Sequence, residues 1–339
     1  MSKGFLIAAC IAFAAAGCSQ NVMIKTEILP KIPDAAYAKG VSAPFCGILD
    51  GCLVVAGGAN FPEKSLLEGG AKRVYRDIWA LKEGEWNHVG LLPDSTAYGA
   101  SFSRPGALVF AGGNVCGQTS AKVIELRADG SVTELEPLPF PVEQAGWSQN
   151  QEGDYFLVGG AGSDKVLRCH GGKWEVIASL PQPLVQPVAY YNAGKLFVWG
   201  GFNPETLLAP SEGLCLDLET LQWADAPAIP DGGTFTGTTG AVLPDGRLVV
   251  VGGVNKAVFE KALRNTPDDR IPYLSQEPSW YKFRSAVYMF DGKEWALAGN
   301  SPEAALAGPG VAAGDNTVYV SGGELKPGVR SAKSFTFKF

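Results

Sequence analysis

The feature that most constrains the fold is a Gly-Gly pair that closes a short apolar run six times along the chain. Hairpin signals such as Asp50-Gly51 precede several of these runs, which predicts a pair of antiparallel strands before each diglycine. Recurrence at intervals of about 40 to 70 residues indicates one small β-sheet per repeat. Because glycine lets backbones approach closely, we expect the diglycines at the inner strand ends, near a crowded axis. The six runs are Leu53–Gly58, Leu108–Gly113, Tyr155–Gly160, Leu196–Gly201, Leu248–Gly253 and Val318–Gly323.

A second signature, an aromatic or apolar strand followed by a proline link, recurs in step with the diglycines. Trp86 followed by Leu92-Pro93 is one example, but the copy that the last repeat lacks stands at the N-terminus, in Ile24–Pro33. The last repeat ends with the strand-like segment Ser334–Phe339. An N-terminal strand that completed this sheet would remove the unpaired edge of an open array.

The sequence therefore predicts an all-β fold, a six-bladed β-propeller closed by an N-terminal strand that completes the last blade. A β-sandwich does not predict six equivalent diglycines, and a solenoid does not predict a swapped terminal strand. The repeated tryptophans are expected to pack between neighbouring blades.

The first residues read as a processing signal. Lys3 supplies a positive charge, Gly4–Phe13 is an apolar run too short for an ordinary transmembrane helix, and Ala15–Cys18 resembles a lipobox. Lipidation is expected at Cys18, and plain secretion with cleavage near Ala16 is the alternative. The predicted boundaries are a lipoprotein signal peptide at 1–17, a short tether at 18–23 and the propeller at 24–339.

This leader predicts a bacterial envelope protein whose contact with the membrane is its N-terminal lipid. Ser19 after the cysteine favours the outer membrane, with the domain facing the periplasm. A net charge of −6 without a Lys/Arg cluster argues against a nucleic-acid partner. The five cysteines beyond Cys18 show no CxxC spacing, which argues against a zinc site and favours small buried side chains. One disulfide among them is the alternative interpretation.

The stretch Val320–Arg330 carries the candidate chemistry. The last diglycine is followed directly by Glu324, then by the turn Pro327-Gly328, and then by Arg330. A strand that ends at a diglycine and turns through Pro-Gly places both charged side chains at the rim of a sheet. An ordinary surface ion pair is the alternative interpretation.

Several motifs together resemble kelch-repeat propellers and, more narrowly, the N-acetylneuraminate epimerase (sialic acid mutarotase) family in its cyclically permuted branch. The carrying segments are Ala298–Pro302, Gly322–Arg330, Gly252–Asn255 with Phe259, and Ala97–Gly99 with Ser101. In the unpermuted family the block that matches Tyr98 follows the Glu/Arg element, whereas here it precedes that element. A ring of blades tolerates a change of starting blade because each blade contacts its neighbours alone.

The resemblance implies interconversion of the α and β anomers of N-acetylneuraminate by ring opening. Glu324 would alternate as acid and base, best served by a pKa raised through partial burial. Arg330 would bind the carboxylate of the sugar acid. The resemblance implies no metal and no organic cofactor.

Further substrate-binding candidates come from the loops and from the departures from the family pattern. Tyr98 lies in a matching block, but Thr96 stands where the family's epimerases carry Arg, so Arg104 or Arg76 is a candidate replacement. The long insertions 60–74 and 254–283 are expected to wall the mouth of the ring, because loops of this length are usually functional. They contribute the candidates Asn60, Asn255 and Phe259.

Two other functions are compatible with these sequence features. A non-catalytic kelch propeller that binds a glycan or a protein at the cell envelope would have the same fold. A glycosidase would need a second acid near Glu324, and the nearest in sequence, Asp315 and Glu303, have no matching motif.

Overall fold

The computed structural model describes residues 24–339, so the predicted signal peptide, the tether and Cys18 lie outside the described residues. The all-β class predicted from the sequence is confirmed. The described chain forms six four-stranded antiparallel sheets and three smaller ones. In the described part, no helix is long and apolar enough to span a membrane.

We number the six large sheets in chain order and give their strands from first to fourth in spatial order. Sheets 1 to 3 comprise Phe45–Leu49, Cys52–Ala56, Asp77–Lys82 and Glu85–Leu91; Ala100–Arg104, Ala107–Ala111, Val123–Arg127 and Val132–Glu134; and Gly146–Gln149, Tyr155–Val158, Lys165–His170 and Lys173–Ser179. Sheets 4 to 6 comprise Val185–Asn192, Lys195–Phe202, Gly213–Asp217 and Trp223–Ala226; Gly240–Val242, Leu248–Val251, Ala286–Phe290 and Trp295–Asn300; and Gly310–Gly314, Thr317–Ser321, Ser334–Lys338 and Thr26–Leu29.

The first strands of the six sheets contact one another in sequence. Each packs against the first strand of the sheet before it and of the sheet after it, and the first strand of sheet 6 packs against that of sheet 1. Sheet 6 is built from both ends of the described chain, since Thr26–Leu29 pairs antiparallel with Ser334–Lys338.

The diglycines follow the second strand in five of the large sheets and lie near the end of that strand in sheet 4, so their predicted place at the end of the innermost strand is wrong. The reason is visible at Gly322, which has a φ of +70° and where a Cβ would lie 2.2 Å from the carbonyl oxygen of Val41. The next glycine, Gly323, donates its N–H to the same carbonyl over 2.8 Å. The diglycine is thus the point where the second strand meets the chain entering the neighbouring sheet.

A ring of left-handed residues lies where the chain enters each first strand. Six residues, one per sheet, have φ between +51° and +71°, which is uncommon outside glycine. Five backbone hydrogen bonds of 2.6 to 2.9 Å link them in order around the ring. The members are Ala43, Tyr98, Gln144, Gln186, Gly237 and Gly308. All six residues line one cavity of the molecule, which is described below.

The two predicted insertions leave the sheets on the side of this ring. The first is stemmed by the short hairpin Ala59–Asn60 and Arg73–Val74. The second contains the helices Lys256–Leu263 and Arg270–Leu274 with the 3₁₀ turns Pro267–Asp269 and Pro278–Tyr281. The remaining elements are the 3₁₀ turns Ala35–Tyr37 and Pro302–Ala304, the sheet of Thr96–Ala97, Asn114–Val115 and Gln118–Thr119, and the hairpin Glu324–Lys326 and Val329–Arg330.

The cysteines divide by position. Cys46, Cys169 and Cys215 are buried, as expected for small apolar side chains, and none of the described cysteines is in a disulfide. Cys52 is half-buried. Cys116, at a turn position with a φ of +50°, is exposed, so the expectation of burial is wrong for this residue.

Candidate active site

Glu324 and Arg330 lie on one short hairpin. Its strands Glu324–Lys326 and Val329–Arg330 are joined by Pro327-Gly328, and a register shift leaves Glu324 directly opposite Arg330. Cross-strand partners lie close together, and here Nη1 of Arg330 is 3.0 Å from Oε1 of Glu324. The predicted turn thus brings the two candidate catalytic residues into an ion pair.

Backbone contacts fix the position of the Glu324 carboxylate. Its N–H donates to the carbonyl of Ala307 over 2.6 Å, and its carbonyl accepts from the N–H of Ala307 over 3.0 Å. The hydroxyl of Ser42 donates to Oε1 over 3.5 Å. Burial raises the pKa of Glu324 above its ordinary value, against the opposing attraction of Arg330 and of Lys72. A carboxyl group with a raised pKa is suited to alternate between proton donor and proton acceptor.

Arg330 supports this carboxylate from behind. Its side chain is 3% exposed. Nε donates to the carbonyl of Ala59 over 3.1 Å, and the guanidinium lies 5.2 Å from the ring centre of Phe61. Nη1 is close to Glu324 but not aligned for a hydrogen bond. The structure therefore places Arg330 beside the carboxylate and outside the lining of the central cavity.

Two adjoining cavities meet at the ring of left-handed residues. The central cavity has a volume of about 210 Å³ and is lined from the second insertion by Asn255, Phe259 and Tyr273, among others. A more open cavity beside it is lined from the first insertion by Lys72 and Arg73. Four side chains belong to both linings: Tyr98, Gln144, Gln186 and Glu324. A ligand that reaches Glu324 can therefore contact both insertions.

Lys72 is the functional candidate that sequence reasoning missed. Its ammonium lies 3.1 Å from the hydroxyl of Tyr98 and 4.9 Å from the centre of that ring. The side chain is exposed at the cavity wall, and its charge acts on Glu324. The signal in the sequence was its place near the end of the first insertion, but nothing there distinguished it from a solvated lysine.

The second insertion is held over the cavity by Lys326. The ammonium of this residue donates to the carbonyls of Gln276, over 2.6 Å, and Leu274, over 3.3 Å. Beneath this clamp Tyr273 packs edge to face on Tyr281, with ring centres 5.2 Å apart. Burial raises the pKa of Tyr273 well above its ordinary value, and the nearby Tyr281 and Glu324 raise it further. Tyr273 thus stays a neutral hydrogen-bonding group at the wall.

Three of the predicted substrate-binding residues line the central cavity together with Glu324: Tyr98, Asn255 and Phe259. Oδ1 of Asn255 accepts from the N–H of Val258 and caps the helix Lys256–Leu263. The amide nitrogen of Asn255 donates to no other group in the described part of the chain. Phe259, on the same helix, packs edge to face on Phe202.

The other three predicted binding residues lie elsewhere. Asn60 is fully buried, and its amide group is occupied by the carbonyls of Ala36 and Gly40 and by the hydroxyl of Tyr75. Arg76 is exposed and lines neither of the two cavities.

Arg104 lies at the end of its strand that is far from the cavities. It pairs with Ala107 at the hairpin end, whereas Ala100 pairs with Ala111 beside the diglycine. Four residues of strand separate it from the cavity side, about 13 Å, and its guanidinium pairs with the buried Glu125. The suggestion that Arg104 or Arg76 supplies the basic contact is therefore not supported by their positions, since the cations that line the more open cavity are Lys72 and Arg73.

Comparison with known proteins identifies a family. The model of the N-acetylneuraminate epimerase family matches residues 14–135 and 138–339. The N-acetylneuraminate epimerase of Yersinia pseudotuberculosis is 31% identical over 222 residues, which are 58% of this chain and 55% of that protein. The enzyme of the same name from Salmonella typhimurium is 27% identical over 229 residues, 61% of this chain and 59% of that protein.

The chain thus spans little more than half the length of the curated relatives that it matches. Among solved structures, the one titled "Structure of YjhT" superposes with a TM-score of 0.54 at 22% identity. The match covers 60% of this chain and 65% of the other, and it supports the fold.

Proposed function

Because the chain belongs to the N-acetylneuraminate epimerase family, we propose that it is a mutarotase that interconverts the α and β anomers of N-acetylneuraminate. The observation that carries this proposal is Glu324, a half-buried carboxylate with a raised pKa at the wall shared by both cavities. A binding module needs no such group, whereas acid–base ring opening does.

The reaction opens and recloses a cyclic hemiketal. Ionised Glu324 accepts the proton of the anomeric hydroxyl, directly or through a water molecule, while the bond between the anomeric carbon and the ring oxygen breaks. Glu324, now protonated, returns that proton to the ring oxygen, directly or through a water molecule, and the anomeric carbon becomes the ketone. After rotation about the bond to the ketone carbon, the hydroxyl attacks the other face and the proton transfers reverse. The carboxylate ends as it began, so no atom is gained or lost.

Lys72 is the group that we propose to bind the substrate's carboxylate. It is the exposed cation that lies near Glu324 and against Tyr98. Arg330 is buried behind Glu324, so in this proposal it positions and tunes the catalytic carboxylate. The role predicted for Arg330 from the sequence, direct contact with the sugar acid, stays a prediction that the Arg330 variants described in the Discussion test.

We also propose that the six large sheets are the blades of a closed, six-bladed propeller in a cyclically permuted order. The ring of contacts among first strands supports it, as do the five hydrogen bonds that link the six left-handed residues and the pairing of Thr26–Leu29 with Ser334–Lys338. A local alignment that covers 55% of a relative is the result expected when equivalent blocks occur in a different order.

We also propose that the protein is an outer-membrane lipoprotein that is anchored at Cys18 and faces the periplasm. The support is the lipobox-like sequence Ala15–Cys18. Metabolic labelling with a palmitate analogue should mark the wild-type chain and not a Cys18→Ala variant. Labelling of both proteins, or of neither, would contradict the anchor.

The activity is tested by time-resolved proton NMR of α-N-acetylneuraminate freshly released by a retaining sialidase. The mature protein should speed the approach to the β anomer, and Glu324→Gln should reduce this acceleration by about 100-fold or more. An unchanged rate with wild-type protein would contradict the proposal and favour the non-catalytic propeller. Full activity in Glu324→Gln would contradict the role of the carboxylate alone.

A further inference from the structure

Two glutamines form an amide pair on the wall shared by both cavities. Nε2 of Gln186 donates to Oε1 of Gln144 over 2.7 Å. Both residues belong to the left-handed ring, and the N–H of Gln186 also donates to the carbonyl of Gln144 over 2.8 Å. Backbone and side chains therefore hold the pair in one orientation beside Glu324, which borders the same two cavities.

The pair leaves one complete set of amide hydrogen-bonding groups for a ligand. Within residues 24–339, neither the nitrogen of Gln144 nor the oxygen of Gln186 is bonded to another protein group. Whichever member of the pair donates to the other, one carbonyl oxygen and one NH₂ group remain. A Cβ at Gly237 would lie 3.6 Å from the Gln186 oxygen, so the glycine there leaves this oxygen uncovered toward the axis.

The surface next to the pair is apolar. Ala145 and Trp147 follow Gln144 in the sequence, Pro187 follows Gln186, and all three line the central cavity. A neutral donor and acceptor beside an apolar surface suit a ligand group with the same three parts. An acylamino group has an N–H donor, a carbonyl acceptor and a methyl group, whereas a chain of hydroxyls would leave the apolar surface against polar groups.

We propose that the Gln144–Gln186 pair, together with Trp147 and Pro187, is the subsite that recognises the acylamino group of the sugar. This inference rests on the proposed mutarotase function and deepens it. The oxygen of Gln186 accepts the amide N–H, the nitrogen of Gln144 donates to the amide carbonyl, and the acyl methyl packs on Trp147 and Pro187. The pair thereby selects acylated amino sugar acids over those with a hydroxyl at that carbon.

The test compares two substrates: N-acetylneuraminate and the nonulosonic acid that carries a hydroxyl in place of the acetamido group. The anomerisation rate of each is measured by proton NMR with wild-type protein, with Gln144→Met and with Gln186→Met. Methionine keeps the volume of the side chain and removes its hydrogen bonds. Gln151→Met, at an exposed hairpin turn on the far side of sheet 3, is the matched control.

Wild-type protein should prefer the acetamido substrate. Each cavity variant should lower kcat/KM for it by about fivefold to tenfold, as expected for one lost hydrogen bond, and change the rate on the hydroxyl substrate by less than about twofold. Retained activity on the hydroxyl substrate shows that the variant is folded. An N-formyl analogue, which lacks the methyl group, should react about fourfold less efficiently than the acetyl compound.

Four results overturn the inference. If wild-type protein accelerates both substrates equally, or if the variants slow both equally, the mutarotase stands and the acylamino subsite does not. If wild-type protein accelerates neither substrate, the proposed function fails and the inference fails with it. A loss in Gln151→Met as large as in Gln144→Met would likewise show that the effect is not local to the cavity.

Discussion

At the scale of single residues, the carboxylate of Glu324 is subject to opposed influences. Burial disfavours its charge, while Arg330 and Lys72 favour it, and burial dominates because the pKa is raised overall. Such a carboxylate is costly to keep ionised in the folded protein. Strain of this kind is common at catalytic positions, where function is retained at the expense of stability.

A first prediction concerns the stability of Glu324→Gln. A raised folded-state pKa means that the folded protein binds this proton more tightly than the unfolded chain, so stability is lost as pH rises through the folded pKa. The uncharged variant escapes this loss. It should match wild type below the ordinary carboxyl value of 4.5 and become more stable than wild type toward neutral pH.

Thermal unfolding from pH 4 to pH 8 measures this difference. A pKa difference of one between folded and unfolded states corresponds to about 1.4 kcal/mol. A variant less stable than wild type at neutral pH would show that the ion pair with Arg330 outweighs the cost of burial.

A second prediction separates two roles for Arg330. Replacing it with Met removes a cation that lowers the pKa of Glu324, so that pKa rises further and the acidic limb of the rate profile moves to higher pH. Activity lost at neutral pH should return in part at alkaline pH. Arg330→Lys, which keeps the charge, should shift the profile less.

The pH dependence of kcat/KM for wild type and both variants checks this. If Arg330 instead binds the substrate's carboxylate, Arg330→Met raises KM at every pH without moving the profile. The family resemblance implied that second role. Sequence spacing placed the two side chains on one loop but could not show that Ala59 and Phe61 enclose the guanidinium.

At the scale of elements, the sequence predicted the positions of the hairpins and of the insertions along the chain. It did not predict which strand of each sheet carries the diglycine. The diglycines marked six strand ends, but the sequence did not show whether the strand beside each diglycine is the first or the second of its sheet. Their contact with the next sheet's entering chain, at Gly322 and Val41, depends on a neighbour at a distant place in the sequence. The same limit explains Asn60, whose three partners in the fold occupy it fully.

A third prediction uses two glycines with the same backbone conformation. Gly322 and Gly51 have φ of +70° and +75°, so alanine costs about 1 kcal/mol at either from torsion alone. At Gly51 an added Cβ meets open space, whereas at Gly322 it would lie 2.2 Å from a backbone oxygen. Gly322→Ala should therefore destabilise the protein by at least about 2 kcal/mol more than Gly51→Ala.

Urea unfolding of both variants gives the comparison. Gly322→Ala should also lose the proposed mutarotase activity, because Glu324 follows two residues later and depends on its backbone bonds to Ala307. Equal destabilisation by the two substitutions would argue that the diglycine serves torsion alone and not the approach of neighbouring sheets.

At the scale of the whole molecule, the order of the blocks carries information that no single element holds. The last repeat lacks its proline link, and a copy of that link stands before the first repeat. This arrangement predicted that an N-terminal strand completes the last sheet, and Thr26–Leu29 does pair with Ser334–Lys338. The central cavity was not predictable in this way. Its walls, and those of the more open cavity beside it, combine residues from Ser42 to Pro327. Lys72 and the Gln144–Gln186 pair are therefore recognised as candidates through the ring of left-handed residues that brings these loops together.

The last prediction tests how far the molecule depends on that shared strand. A chain that begins at residue 24 keeps Thr26–Leu29, whereas one that begins at residue 31 loses it, together with the carbonyl of Pro30 that accepts from the indole of Trp86 over 2.8 Å. The shorter chain exposes the backbone edge of Ser334–Lys338 and uncovers the side of the core that holds the fully buried Phe335 and Phe337. An open, apolar edge strand both weakens the fold and invites pairing with another copy.

The shorter chain should therefore unfold at a temperature lower by at least about 5 °C and self-associate in analytical ultracentrifugation, while the longer chain stays monodisperse at the same concentration. Equal melting temperatures and equal sedimentation would show that the contacts among the six first strands hold the sheets together without the terminal strand.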